Sequence, residues 1–248
     1  MQGDTGGVAF DPANPGRFVA QMHNADWNDD GGDWIGPSWR GPASAAYNAE
    51  NGAARFYANA AVLQRRDGVT QLAVGTTRVW YSERWGRSRW DGAFWRRQWV
   101  TLPGGADPRA GDANDIATDV LAPGPQPTVN PNDTSLGIRV LRWGSQDRLY
   151  AVLPGAIYRL DRNPPINGAW ATTNIVTRPA PPVVAAAQPW PMPGANLPDS
   201  GALNDLAVHN AAAGAHGSFY VATSHPLEPI WWFDGVGRWF PARLGTTN

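Results

Sequence analysis

The 248-residue sequence contains no cysteine and no lysine. Without cysteine there is no disulfide framework, thiol nucleophile or zinc–thiolate site, and the redox compartment stays open. All 20 basic side chains are arginine, which removes Schiff-base chemistry and a P-loop lysine. A coding bias that also favours Ala, Gly and Pro is the plainer reading of that absence. No apolar run reaches the length of a membrane span, so no membrane insertion is expected. No signal peptide pattern of charged, apolar and small residues opens the chain. A net charge of −1 predicts no global attraction to nucleic acid or anionic lipid, and double-stranded nucleic acid is not expected as a partner. There is no G-x-S-x-G, and His23, His209, His216 and His225 lack zinc spacing or an evident nucleophile.

What is present favours short strands. The chain has 28 Gly, 23 Pro and 14 Trp, a mixture that breaks helices and suits strands joined by turns. Three stretches share one order of residues: "TQLAVGTTRVWYSE" (70 to 83), "RLYAVLPGAIYRLD" (148 to 161) and "SFYVATSHPLEPIWWFD" (218 to 234). Each has a strand containing an alanine, a turn, an aliphatic–aromatic pair and a closing acid. A tryptophan-led segment follows at Trp99, Trp170 and Trp239, and an aliphatic segment precedes each stretch. Three four-stranded antiparallel units are expected, with "GGVAFDPANPGRFVAQM" (6 to 22) opening a fourth whose later strands are hard to find. Such units in succession predict an all-β chain, a β-propeller of about four blades or part of a larger one, forming a single domain. The units run approximately over 6–52, 53–102, 134–177 and 202–244, with Pro-rich inserted loops at 103–133 and 178–201.

"FDPANPGRFVA" and two degenerate hairpins carry a family likeness. "SERWGRSRW" (82 to 90) keeps Ser82, Gly86 and Ser88 of the S-x-D-x-G-x-T-W pattern with Arg84 at the aspartate position, and "DGVGRW" (234 to 239) keeps the Asp-to-Trp spacing. In these segments the chain resembles the Asp-box (BNR-repeat) β-propellers, which include sialidases, xyloglucanase-like hydrolases and sortilin-type receptors. The resemblance implies a propeller fold and an extracellular or periplasmic setting. The arginine-containing F-R-I-P segment of sialidases is absent.

Two constellations are candidate sites. "HNADWNDDGGDW" (23 to 34) contains D-x-N-x-D-G, the start of an oxygen cage for Ca2+, with Asp26, Asn28, Asp30 and Asp33 as metal ligands. The helix-loop-helix version needs glutamate where Pro37 stands, and the integrin-type propeller version needs aspartate where Trp34 stands. A solvated turn is the competing reading. "RVWYSERWGRSRWDGAFWRRQW" (78 to 99) interleaves six arginines and five tryptophans against two acids. Guanidinium pairing and ring stacking suit anionic glycans or single-stranded nucleic acid. Trp80 and Trp99 are expected in the core, whereas Arg84, Trp85, Arg87, Arg89, Trp90 and Trp95 are the candidate ligand-binding residues.

The expected function is non-enzymatic binding or scaffolding toward a glycan or protein ligand, with calcium as a stabilising ion. The alternatives are a glycoside hydrolase whose carboxylate pair comes from the long loops, and a purely structural module of a larger extracellular protein. Self-association, or packing on neighbouring domains, is expected wherever an end unit lacks a neighbour to bury its apolar face.

Overall fold

The computed structural model describes residues 7–23, 26–29, 61–64, 68, 70–75, 79–82, 88–90, 95–97, 100–102, 138–153, 156–163, 169–177, 203–224 and 229–242. Among them there is no helix, and the strands form antiparallel sheets. Sheet one is β1 (Val8–Asp11), β2 (Asn14–His23) and β3 (Asp26–Asp29), in that order. Sheet two is β4 (Ala61–Gln64), β5 (Thr70–Gly75), β6 (Val79–Ser82) and β9 (Val100–Leu102), with the hairpin β7 (Ser88–Trp90) and β8 (Trp95–Arg97) inserted before its last strand. Sheet three runs β10 (Val140–Ser145), β11 (Arg148–Leu153), β12 (Ala156–Asn163), β13 (Ala169–Thr177). Sheet four runs β14 (Leu203–Asn210), β15 (Ser218–Thr223), β16 (Ile230–Phe233), β17 (Trp239–Pro241). Each neighbour follows its predecessor in sequence, so hairpin turns suffice for most connections and no crossover is needed. The two Pro-rich loops lie outside the described residues.

The sheets pack through their first strands: β1 lies beside β4, β4 beside β10 and β10 beside β14. Sheet three is therefore covered on both sides, and its sequence shows why. In "RLYAVL" the apolar residues are consecutive, the pattern of a strand buried on both faces. Successive side chains point to opposite faces. Leu149 and Ala151 join Ala73, Val79 and Tyr81 of sheet two in one core, and Tyr150 and Val152 join Phe219, Val221 and Trp231 of sheet four in the other. The two cores are thus separate layers divided by a single sheet. Trp170 and Trp239, at the starts of the fourth strands of sheets three and four as their second and first residues, are both buried in these layers.

Close approach is built in by glycine. A Cβ on Gly75 would lie 2.8 Å from Ile138 Cγ2, so the end of β5 meets the segment entering β10 only because that position has no side chain. Gly235 has φ +88°, a left-handed conformation that other residues adopt at a cost, and a Cβ there would collide with the Ala213 carbonyl oxygen. The turn after β16 is thereby seated on the turn 211–217.

β3 is an addition to the sequence reading. Its pairing with β2 sets Asp26 opposite His23, Asn28 opposite Ala20 and Asp29 opposite Val19. The expectation of a turn across Asp26–Asp29 gives way to a strand. Asp and Asn are poor strand residues, and pairing with a ten-residue β2 overrides that preference.

Candidate functional site

The arginine–tryptophan stretch forms a hairpin of its own. β7 and β8 pair antiparallel with Ser88 opposite Arg97, Arg89 opposite Arg96, and Trp90 opposite Trp95. The chain leaves β6 at Ser82, makes this excursion and returns to pair with β6 through β9, where Val100 faces Tyr81. Of the candidate ligand-binding residues, Arg89, Trp90 and Trp95 lie on this hairpin's backbone, while Arg84, Trp85 and Arg87 lie outside the described residues. Two arginines in directly opposed register destabilise a ladder by a fraction of a kcal/mol to about 1 kcal/mol. An anion placed between such charges would reverse that sign.

Of the proposed metal ligands, Asp26 and Asn28 belong to β3, and Asp30 and Asp33 lie outside the described residues. Among the described residues no group of three His, Asp or Glu side chains is arranged to hold a metal ion.

Arginines absent from the sequence-based site residues tie one sheet to the next. Arg139, just before β10, and Arg142, on β10, reach across to β14, donating to the Leu203 carbonyl (3.2 Å), to Asn204 Oδ1 and to Asp205 Oδ1 (3.0 Å). Arg162, on β12, crosses to sheet two. It is 5% exposed, and its Nη2 donates to Gln71 Oε1 (3.2 Å) and to the Tyr81 hydroxyl, which itself donates to Gln71 Oε1. The guanidinium stands 4.8 Å from the Trp170 ring centre and 5.3 Å from that of Tyr81. A guanidinium, weakly hydrated and planar, is the cation best suited to such an aromatic slot. Gln71 Nε2 completes the seam by donating to the Gln146 carbonyl at 2.8 Å.

The seam between sheets three and four centres on the turn 211–217. Arg148 Nη1 donates to the Ala211 carbonyl (2.6 Å), the Tyr150 hydroxyl to the His216 carbonyl (2.6 Å), and Arg159 Nη1 to the Ala215 carbonyl. Asp161 accepts from Arg148 Nε (2.7 Å) and is ion-paired with Arg159 Nε at 2.5 Å. Arg159 Nη1 also lies 2.9 Å from His216 Nδ1. Arginine can only donate, so His216 accepts at Nδ1 and is neutral. Burial, then the positive charges of Arg159 and Arg148, lower the His216 pKa, with Asp161 opposing them. Burial likewise raises the Tyr150 hydroxyl's pKa against the pull of Arg148.

The first seam is simpler. Asp11 is 3% exposed. It accepts from its own turn at the Ala13 N–H (2.9 Å) and from Thr70 Oγ1 of sheet two (3.1 Å). In these seams the carboxylates of Asp11, Asp161 and Asp205 each accept from donors of the same or a neighbouring sheet. Asp161 lies between two guanidiniums, which makes it an ion-pair partner. The sequence signal for it was the acid that closes each stretch, whereas nothing in "LDRNPP" distinguishes Arg162 from any other arginine.

No protein-family model, curated protein or solved structure matches this chain.

Proposed function

We propose that this chain is a non-enzymatic binding or scaffolding domain of β-propeller type that takes an anionic glycan on the β7–β8 hairpin. The observation that carries the reading is the register of that hairpin, Arg89 opposite Arg96 and Trp90 opposite Trp95. Charge of one sign at the ladder and aromatic residues beside it suit carboxylate or sulfate groups on a sugar ring, through guanidinium pairing and stacking. The propeller reading is supported by successive antiparallel sheets that pack first strand to first strand. Loops on a rigid scaffold are where binding residues concentrate, and the hairpin is an excursion from such a scaffold.

The test is binding to uronate-containing and sulfated glycans, with a hydrolysis assay on every hit and a single-stranded oligonucleotide as competitor. Replacing Arg87, Arg89 and Trp90 together with alanine is expected to weaken binding at least about tenfold, with the melting temperature retained, and added salt is expected to weaken the wild type. Undiminished affinity in the variant would remove the hairpin from the site, and turnover of the glycan would replace binding with glycoside hydrolysis.

Calcium is part of the same proposal, held by Asp26, Asn28, Asp30 and Asp33. Binding to the native state alone raises the melting temperature as the ion increases. Melting curves in millimolar calcium and in chelator are expected to separate, and Asp30→Ala to abolish the separation. Superimposable curves end the metal reading.

A further inference from the structure

Among the described residues, sheet four has a neighbouring sheet on one face only. Its inner face carries a row of three aromatics in direct register, Phe219, Phe233 and Trp239, all buried against sheet three. Its outer face carries a second such row, Tyr220, Trp232 and Phe240, with the Trp232 and Phe240 ring centres 5.3 Å apart. Tyr220 is 39% exposed. Sheet one has the complementary defect. Ala9 and Asp11 are buried on the side of sheet two, whereas Val8 is 48% and Phe10 59% exposed, and Phe10 lies against Phe18 directly across the ladder. Trp232 and Phe240 are half-buried beside the exposed Tyr220, and exposed aromatic surface of this kind is where partners dock.

The direction in which the sheets pack identifies the occupant. From sheet two to sheet three and from sheet three to sheet four, the outgoing face sends polar groups of its second strand onto the first hairpin turn of the next sheet. Gln71 does so at the Gln146 carbonyl, and Tyr150 at the His216 carbonyl. Measured from the row preceding the closing acid, where Leu149 faces Leu160 and Phe219 faces Phe233, Tyr220 occupies on sheet four the place that Tyr150 occupies on sheet three. Its hydroxyl makes no hydrogen bond among the described residues. Sheet one offers the matching receiver, an exposed turn at Pro12 and Ala13 between β1 and β2. Among the described residues, an outgoing face thus has no receiver at one end of the series, and an incoming face has no sender at the other.

We infer that two copies of this chain pair head to tail, the outer face of sheet four on each copy covering the outer face of sheet one on the other. Val8, Phe10 and Tyr220 are exposed, and among the described residues no strand covers them. A head-to-tail contact is heterologous and must close or extend. Two copies bring four sheets each, which falls within the four to eight blades that propellers use, and closure leaves neither face open. The inference rests on the propeller reading above.

The experiment is sedimentation and light scattering of the full chain. The wild type is expected at twice the monomer mass. Phe10→Asp disables sheet one and Tyr220→Asp disables sheet four, so each variant alone is expected to weaken association at least about tenfold, as for an aromatic interface anchor. Mixed, the two variants retain one undamaged contact, sheet four of the first on sheet one of the second, and association is expected to return. Both positions are exposed, so circular dichroism and melting are expected to stay native; Phe10→Gln and Tyr220→Gln serve as milder replacements. A monomeric wild type, a dimer indifferent to both variants, assemblies beyond two copies, or a mixture that stays monomeric each overturns the head-to-tail pair. Small-angle scattering separates the two levels. A monomer that still fits sheets about one axis removes only the pairing, and one that fits no such arc removes the propeller reading with it.

Discussion

His216 shows how one side chain can make sheet packing sensitive to pH. Its Nδ1 faces Arg159, and Arg148 adds a second positive charge, so a proton on the ring would set cation against cation in a half-buried seam. The folded pKa lies below the ordinary value of 6.5. The unfolded chain therefore takes up the proton first as pH falls. Stability from this group is complete above about pH 6.5 and declines below it until the folded state is protonated too. His216→Gln keeps an acceptor for Arg159 without a titrating ring, and is expected to flatten the fall of the urea midpoint below about pH 6.5. An unchanged slope would assign the acid sensitivity elsewhere. Arg162 makes the companion prediction. Its head is buried among Gln71, Tyr81 and Trp170, so Arg162→Ala is expected to cost about 2–4 kcal/mol through the cavity and the stranded polar groups. Arg162→Met, which refills the slot, is expected to recover part of that loss in the same urea titration.

At the scale of elements, the turn after β16 is closed by its own aspartate. Burial of Asp234 pushes its carboxyl pKa up, but the N–H groups of Arg238 and Val236 and the Arg238 guanidinium outweigh that push and hold it at about 2. The distances are 3.0, 2.9 and 2.6 Å. Such a depressed carboxylate stabilises the fold above its ordinary value near 3.8 and loses that contribution as pH falls toward 2. Asp234→Ala leaves two turn N–H groups without their acceptor and is expected to lower stability by about 1–2 kcal/mol, measured by chemical denaturation at neutral pH. The same element shows how far the sequence could be read. Strand, turn and closing acid are legible in "IWWFDGVGRW" because aromatics favour strands and Asp-Gly favours tight turns. Register was not legible from the shared alanines. Counted from the row before each acid, Leu72 opposite Ser82, Leu149 opposite Leu160 and Phe219 opposite Phe233, Ala73, Ala151 and Ala222 fall one, two and three places on. They alternate between faces, which a residue as small as alanine tolerates, and a slip of one position reverses every side chain. The candidate site divides in the same way. Arginine and tryptophan spacing marked the hairpin, but the seams of Arg162 and His216 join residues far apart in sequence, and no local pattern announces such contacts.

At the scale of the whole molecule, the described sheets form a series with sheet three in its interior, and that position sets where damage is felt. Leu149 packs toward sheet two, and Val152 toward sheet four. Both are fully buried. Truncation of Leu149 to alanine removes apolar contact and leaves a cavity that rigid sheets close poorly, for about 2–4 kcal/mol. Val152→Ala removes less and is expected to cost about 1–3 kcal/mol. The two residues face separate cores, so two outcomes are physically distinct. Were the layers to unfold independently, each substitution would displace one of two steps. The polar ties at both seams argue for coupling, because sheet three anchors Gln71 and Tyr81 through Arg162 on one side and the 211–217 turn through Arg148, Tyr150 and Arg159 on the other. Loss of sheet three from either neighbour exposes the opposite core as well. A single urea transition is therefore expected in the wild type and in both variants, with the midpoint lowered and the slope unchanged. Tryptophan fluorescence and far-ultraviolet circular dichroism are expected to report the same midpoint. Two separated transitions, with Leu149→Ala moving one and Val152→Ala the other, would show that the sheets are joined by contact alone and not by a common folding unit.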